Sequence, residues 1–525
     1  MNIPLTPIRL LRYARGQFPS RTAVVCGNDR FTYEQLAARV SRLADALRAM
    51  GVQKGDRVAF LSLNCHRFLE AYYAVPEVGA IFVPINTRLV PSEFTYILND
   101  AGAKVLFFEE SFFETVEAFH AGVPSIQKFV QLDGTPRQNE WLLPENYEKL
   151  LESAKPYNAD LLEVDENSVA EMFYTSGTTA KPKGVMLTHR NVYLHAVNYC
   201  LTLNPGKLIV HLHTIPLFHV NGWGTVHYSY LGAVHVMIPR FRPSEVFRLI
   251  EQERVTSINL VPTMAAQLIK APDRAEYDLK SLERIRVGGS PPSPTLIREV
   301  EQFLGGNCFC AYGLTEASPS LTMSLIKHDT GWNAETRLEK QAMTGFPIPG
   351  AEVRVVDAEG NDIPRDGSTV GQIIARSDGV MAGYWNQPEA SAKAIHDGWL
   401  YTGDMAVIDK DGYLLIVDRM SDFIISGGEN ISSLELENIL LSHPSVLEAA
   451  VIPVPDEKWG EVPKALIVLK LDSSATEEEM IDFCRFRLAR FKVPRSVEFL
   501  PNLPKTGTGK VLKKDLRAKY AQANK

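Results

Sequence analysis

Apolar residues recur at helical spacing through TYEQLAARVSRLADALRAMG, from Thr32 to Gly51, and the closing glycine suits a helix cap. The next run, DRVAFLSLN (56–64), is short and continuously apolar and predicts a buried strand. FLEAYYAVPEVGA (68–80) returns to helical spacing and IFVPIN (81–86) to a strand; PSEFTYILNDAG and AKVLFFEE repeat the unit over 91–110. The same alternation reappears as PSEVFRLIEQERV, SINLVP, PTMAAQLIKA and RIRVGGS between 243 and 290. Strands alternating with helices predict a mainly parallel sheet covered on both faces. From about 345 to 420 the pattern shortens to strands and turns (DAEGN, RDGS, DKDGY), which predicts an antiparallel or barrel-like piece. After Arg419 the runs SSLELENILLSH, VLEAAVIPVP, ALIVLKL and EEEMIDFCRFRLA predict a separate α+β domain of about 100 residues.

At 525 residues the chain is too long for one hydrophobic core, so two or more domains are expected. A net charge of −7 argues against a general nucleic-acid or membrane-surface binder. No apolar run reaches the length of a membrane span. The six cysteines (26, 65, 200, 308, 310, 484) contain no C-x-x-C pair and read as reduced thiols of a cytoplasmic protein, with Cys308 and Cys310 on one strand face. Arg9, Arg12, Arg15 and Arg21 precede the first acid, Asp29, as in a mitochondrial address. An ordinary amphipathic first helix is the better reading. The C-terminal AQANK carries no lipidation or peroxisomal signal.

YTSGTTAKPKG (174–184) has the composition of no packed core. It holds hydroxyl residues Thr175, Ser176, Thr178 and Thr179, glycines Gly177 and Gly184, and lysines Lys181 and Lys183. VAEMF before it predicts a strand, and THRNVYLHAVNY after it a helix. Strand, loop and helix with small residues is a usual phosphate cradle, because bare backbone N–H groups converge there and hydroxyls and lysines add donors. It is not a Walker A loop, since Gly177 and Gly184 are seven apart with Pro182 between them. A solvated surface loop could share this composition.

YTSGTTAKPKGVMLTHRN closely resembles the phosphate-loop signature of the adenylate-forming superfamily, which includes acyl-CoA synthetases, peptide-synthetase adenylation domains and beetle luciferases. AYGLTE (311–316), YTGD (401–404), DRMSDFIISGGENIS (418–432) and PKTGTGK (504–510) resemble further family motifs, in the family's order, over about 340 residues. Three positions depart from the pattern: Ala180 stands for a usual glycine, Ser290 for a frequent alanine, and Ser421 for the usual hinge Asp or Lys.

The resemblance implies an α/β fold. A large N-terminal AMP-binding domain (1–418) would hold two mainly parallel α/β-layered sheets and a small distorted β-barrel, followed by a hinge at 419–422 and a mobile α+β domain at 423–525. It implies ATP, Mg2+ and CoA. Thr175, Ser176, Gly177, Thr178, Thr179 and Lys183 would cradle phosphates, and Glu316 would carry Mg2+. Gly289, Ser290, Ala311, Tyr312, Gly313, Leu314 and Thr315 would line the nucleotide, with Tyr312 stacking on adenine. Asp404 and Arg419 would bind the ribose. Lys510 would reach the point where carboxylate and α-phosphate meet. Ser421 would be the hinge, and Ser426, Gly427, Gly428 and Glu429 would shape the CoA channel in the second of two domain poses.

The stretch from His211 to Arg240 would line the acyl pocket, with His219, Val220, Asn221, Gly222 and Trp223 beside Gly288 and Gly313. It holds no Asp or Glu, so a substrate ammonium would stay unpaired there; an apolar, uncharged acid fits better. Acetate-specific relatives carry Trp where Gly313 stands, so glycine implies an open floor. Medium- to long-chain fatty acids are favoured, with aromatic acids next. Histidines 211, 213, 219, 227 and 235 lie in the same stretch. His211 and His213 could share a strand face as metal pairs do, but no Cys or acid accompanies them and a metal is not expected. The leading expectation is an acyl-CoA ligase acting on carboxylic acid, ATP and CoA, without nucleic acid, and with a homodimer left open. Carrier-protein loading, luciferase-type oxidation and a non-catalytic nucleotide-binding module are the alternatives.

Overall fold

The computed structural model describes residues 3–157, 164–175, 181–203, 207–219, 225–327, 330–420, 422–426, 429–456, 458–505 and 511–522. The chain divides into two compact units, Met1–Val353 with Ala375–Leu400, and Arg354–Ile374 with Tyr401–Lys525.

The first helix of the opening pattern spans Tyr33–Ala49. Thr32 starts it with a reciprocal capping box to Gln35, and Gly51 beyond its end takes a positive φ of 82°. Strands Arg57–Leu61, Ile81–Pro84 and Ala103–Phe108 and helices His66–Glu77 and Pro91–Ala101 follow as predicted. The strands enter a seven-stranded sheet in the order Gly383–Tyr384, Lys183–Thr188, Val169–Thr175, Ile81–Pro84, Arg57–Leu61, Ala103–Phe108, Lys128–Gln131. A second sheet of nine strands runs Phe346–Pro347, Ser320–Met323, Asn307–Gly313, Arg284–Gly288, Ser257–Leu260, Val210–His213, Val234–Met237, Thr22–Cys26, Asp29–Thr32. Its six strands from Asn307–Gly313 to Thr22–Cys26 are parallel. The α/β expectation of two mainly parallel sheets is borne out.

The nine-stranded sheet has two unlike faces. HLH, SIN and RIR alternate polar and apolar residues, a pattern usual where one sheet face meets water. Leu212, Val236, Ile258, Ile285, Val287, Cys308 and Cys310 pack against helices Pro243–Glu253, Pro262–Lys270 and Pro294–Leu304. The two cysteines thus share a face, as predicted. The opposite face carries His211, His213, His235, Ser257, Asn259 and Arg286, and all six are buried. Helices His189–Leu203 and Thr225–Tyr230 cover it through Tyr199 and Tyr228.

The short antiparallel strands expected between about 345 and 420 form a half-barrel sheet from Ala351–Val356, Gly371–Ser377, Ile395–His396, Trp399–Ile408 and Leu414–Arg419. The C-terminal sheet orders Glu429–Ile431, Ile424–Ser426, Gly460–Leu469 and Val446–Asp456, with Ser496–Phe499 parallel to Gly460–Leu469. Ile424, Leu436, Leu440, Val451, Ile467, Met480 and Cys484 form its core with helices Ser433–Leu441 and Glu477–Arg485. No helix among the described residues is long and apolar enough to cross a membrane.

Candidate active site

The phosphate-loop stem differs from the expected strand–loop–helix. Val169–Thr175 is followed by a second strand, Lys183–Thr188, antiparallel to it, and only then by helix His189–Leu203. KGVMLT pairs along VAEMFYT, with a register shift between Val169 and Glu171, and so leaves the helix start a strand's length from the loop. That start is closed by its own cap, in which Asn191 N–H donates to Thr188 Oγ1 at 3.1 Å and Thr188 N–H to Asn191 Oδ1 at 2.9 Å. Ser176, Gly177, Thr178 and Thr179 lie outside the described residues.

The hairpin register sets Thr175 opposite Lys183. Lys183 Nζ lies 4.9 Å from the ring centroid of Tyr384, whose hydroxyl donates to Glu316 Oε1 at 2.9 Å. Glu316 sits in the tight turn Thr315–Ala317, and its carbonyl accepts from Met381 N–H at 2.9 Å. Burial and the adjacent Glu316 charge hold the Tyr384 hydroxyl well above its ordinary pKa, so it stays a donor. A cation, a hydroxyl and a carboxylate converge here from three separate motifs. Tyr384 is absent from the sequence expectations, because its partner is 68 residues away and GYW carries no sign of it.

The parallel pairing of Arg284–Gly288 with Asn307–Gly313 sets Gly288 beside Ala311. GGS and AYG therefore end together at the carboxyl edge of the sheet, where ligands of open α/β sheets bind. Gly289 has φ +85° and is exposed with Ser290, while Tyr312 and Leu314 pack half-buried on the core between the sheets. A Cβ built on Gly313 would lie 1.6 Å from the carbonyl oxygen of Pro319. The close approach of backbone 319–320 gives this glycine a second reason to be glycine, beside the open floor inferred from sequence.

In the acyl stretch, Asn64 Nδ2 donates to the carbonyls of His213 and Ile215 at 3.0 Å each, and its Oδ1 accepts from Leu217 N–H at 2.7 Å. Tyr72 Oη donates to the carbonyls of Leu217 at 2.5 Å and His219 at 3.3 Å. Sequence reasoning missed both residues, which fasten this segment from below. Val220, Asn221, Gly222 and Trp223 lie outside the described residues. The ring nitrogens of His213 and His235 bond each other at 2.9 Å, His235 bonds Ser229 at 2.9 Å, and His211 bonds Ser257 at 3.1 Å. Burial pulls His211, His227 and His235 well below the usual histidine range. Among the described residues no three His, Cys, Asp or Glu side chains are arranged to hold a metal ion.

Within the second unit, strands Trp399–Ile408 and Leu414–Arg419 pair so that Asp404 faces Arg419. Their side chains meet at 3.3 Å, with Asp404 buried and Arg419 largely exposed. Asp418, which the sequence reading passed over, is buried and accepts from Ser433 N–H and Oγ at 2.6 Å each. It clasps the start of helix Ser433–Leu441. Ser426 pairs with Glu429 across a hairpin; Gly427, Gly428, Ser421 and Lys510 lie outside the described residues.

Two family descriptions match the chain: AMP-binding enzyme over residues 11–385, and AMP-binding enzyme C-terminal domain over 435–510. A long-chain-fatty-acid–CoA ligase of Thermus thermophilus is 39% identical over 94% of this chain and 90% of its own length. The peroxisomal trans-cinnamate:CoA ligase of Petunia hybrida is 35% identical over 98% of this chain and 94% of its own. The crystal structure of the anthranilate CoA ligase AuaEII with anthranoyl-AMP superposes with a TM-score of 0.87 at 26% identity, covering 100% of this chain and 99% of that one.

Proposed function

The chain belongs to the AMP-binding enzyme family, in its acyl-CoA synthetase branch, and is an AMP-forming acid–thiol ligase; on that premise we propose that its substrate is an apolar-bodied carboxylic acid, fatty or aromatic. A carboxylate oxygen attacks the α-phosphorus of ATP, the bond to the β-phosphate oxygen breaks, and pyrophosphate leaves. The CoA sulfur then attacks the acyl carbon of the adenylate, the acyl C–O bond breaks, and AMP leaves with both electrons.

The reading rests on the lack of any acidic residue between His211 and Arg240, which leaves no partner for a substrate ammonium. The roles follow residue by residue. Thr175 and Lys183, with 176–179, hold the β- and γ-phosphates. Glu316 offers a carboxylate, an acceptor-only group that suits Mg2+, and Tyr384 orients it. Bound there, Mg2+ would neutralise phosphate charge. Asp404 accepts from the ribose hydroxyls and Arg419 donates to them. Gly288, Gly289 and Ser290 let the backbone approach the adenylate. Lys510 neutralises charge between the two reacting anions. Residues 419–422 divide a nucleotide-binding domain at 1–418 from a mobile one at 423–525, and Ser426–Glu429 shape the thiol channel. Six free thiols suit a reducing cytoplasm.

The test is a panel of straight-chain, aromatic and amino acids incubated with ATP, Mg2+ and either CoA or a phosphopantetheinylated carrier protein. AMP, pyrophosphate and acyl thioester are quantified. Fatty or aromatic acids should give acyl-CoA. Preference for amino acids, or thioester on the carrier protein alone, would overturn the reading.

A further inference from the structure

An acid entering beside Gly288 would end against the buried polar face of the nine-stranded sheet. Arg286 stands two residues before Gly288 on the same strand and so on the same face, ~7 Å deeper in the fold at a strand's rise per residue. It is 3% exposed, and its guanidinium donates to Tyr199 Oη at 2.6 Å. The His227 ring lies 3.9 Å from Tyr199, and His195 lies 6.3 Å from His227. Both imidazoles are buried, and Nε2 of each has no hydrogen-bond partner among the described residues. A buried polar atom left so is costly to the fold, which makes two in one cluster informative.

The rest of the polar layer behaves differently. His213, His235 and Ser229 are joined in a chain of hydrogen bonds, and His211 bonds Ser257 and approaches Asn259 at 3.3 Å. The imidazoles of His195 and His227 stand apart from those bonds, at the Arg286 end. That end adjoins the site: a Cβ on Gly379 would lie 3.4 Å from His195 Nδ1, and the Gly379 carbonyl accepts at 2.7 Å from Ser318 Oγ, which directly follows the turn carrying Glu316.

We infer that Arg286, Tyr199, His195 and His227 read the far end of the acid. The preferred substrate is then a compact acid, aromatic or short, that carries an oxygen acceptor (phenol, ether, carbonyl or carboxylate) opposite its reacting carboxylate. The inference rests on the acyl-pocket reading above and narrows it. A long alkyl tail would lay hydrocarbon on a guanidinium and two imidazoles without offering them a bond. The depth of ~7 Å suits one substituted aryl ring better than such a tail.

Matched acids provide the test: 4-hydroxycinnamate against 4-methylcinnamate, and adipate against heptanoate, each with ATP, Mg2+ and CoA. The oxygen-ended member of at least one pair should have the higher kcat/KM by about tenfold or more, as expected where a site is built to hydrogen-bond its substrate. Arg286→Met keeps apolar volume and should reverse that preference while leaving the KM for ATP unchanged. Tyr199→Phe, which removes only the hydroxyl, should lower the preference without reversing it, and melting curves of both variants show that they fold. Equal or better turnover of the methyl-ended acid in both pairs would overturn the inference and leave the ligase reading standing. So would an Arg286→Met protein that folds and loses both members of a pair equally. Failure of every acid to form acyl-AMP would sink the acyl-pocket reading and the inference together.

Discussion

A tyrosine hydroxyl aimed at a carboxylate fixes its direction without removing its charge. That is the relation of Tyr384 to Glu316, and it separates two substitutions that would otherwise look alike. Glu316→Gln removes the charge and should slow adenylation ~10²-fold, the scale of one lost electrostatic contact, while raising the Mg2+ concentration needed for half-maximal rate. Tyr384→Phe leaves the charge and frees its orientation. It should cost roughly tenfold, since a hydrogen bond to a charged group is worth ~1.5–3 kcal/mol, with a smaller Mg2+ shift. Mg2+ titrations of acyl-AMP formation decide between them, and a Gln variant with an unmoved titration would remove Glu316 from the metal site. Gly313 invites a third substitution. Glycine at an expected pocket floor suggests trimming chain length with a bulky residue, yet even a methyl group there would overlap the Pro319 carbonyl. Gly313→Ala should therefore displace 319–320, lower the melting temperature and depress turnover of short and long acids together. A variant with unchanged melting that rejects only long acids would show that the pocket-floor role dominates.

At the scale of elements, the buried polar groups set a pH window. Burial pushes Glu171, on strand Val169–Thr175, up to about 8 from its ordinary 4.5, and neither carboxyl oxygen has a hydrogen-bond partner among the described residues. Between those two values the folded chain holds a proton that the unfolded chain has released, so stability falls as pH rises across the window. Glu171→Met should thus raise the melting temperature more at pH 8 than at pH 5. An equal gain at both would mean the carboxyl is not protonated in the fold. Buried histidines act from the acid side. Burial lowers His189 to about 4 and His195 to about 3, and pulls His211, His227 and His235 well below 6.5. Below 6.5 the unfolded chain takes protons that these rings refuse, so stability falls as pH falls through 6.5 toward 4. His66, which its neighbours Cys26 and Glu148 raise to about 9 despite burial, acts in another window: its stabilisation is complete below 6.5 and is lost as pH rises toward 9. Melting temperatures that stay flat from pH 7 to 5 would contradict this.

The same elements show what was legible in the chain. Helices such as Tyr33–Ala49 and the strands between them followed from period and caps, because local pattern and tertiary environment agree there. The hairpin strand Lys183–Thr188 leaves no mark in the pattern, since GVMLT runs straight into helical THRN with no turn residue between them. The polar layer was illegible for another reason. Alternation in HLH, SIN and RIR says only that two faces differ, and a polar face covered by helices looks in sequence like one covered by water. The motif residues of the site could be listed from their resemblance, but Tyr384, Asn64, Tyr72 and Asp418 act through partners distant in sequence.

At the scale of the whole molecule, the proposal of two domain poses makes a demand that no single site makes. The two half-reactions need different groups at the same centre. Adenylation brings two anions together, and a nearby ammonium lowers that barrier. Thiol attack on the finished adenylate expels AMP and would call on the channel proposed at Ser426–Glu429. Lys510→Ala should accordingly lose acyl-AMP formation by ~10²–10³-fold, the scale of one removed electrostatic stabiliser. Supplied with ready-made acyl-AMP and CoA, the same protein should keep most of its thioester-forming rate. ATP affinity and the melting temperature, measured alongside, separate lost chemistry from lost folding. A hinge substitution gives the complementary pattern. Ser421→Pro restricts φ at the proposed pivot, so a chain halted in one pose should retain one half-reaction and lose the other. If Lys510→Ala forms acyl-AMP at the wild-type rate, or loses both half-reactions equally while still folded, Lys510 is not the adenylation lysine. If Ser421→Pro also slows both steps alike, residues 419–422 are not the pivot, and the two steps share a single arrangement of the chain.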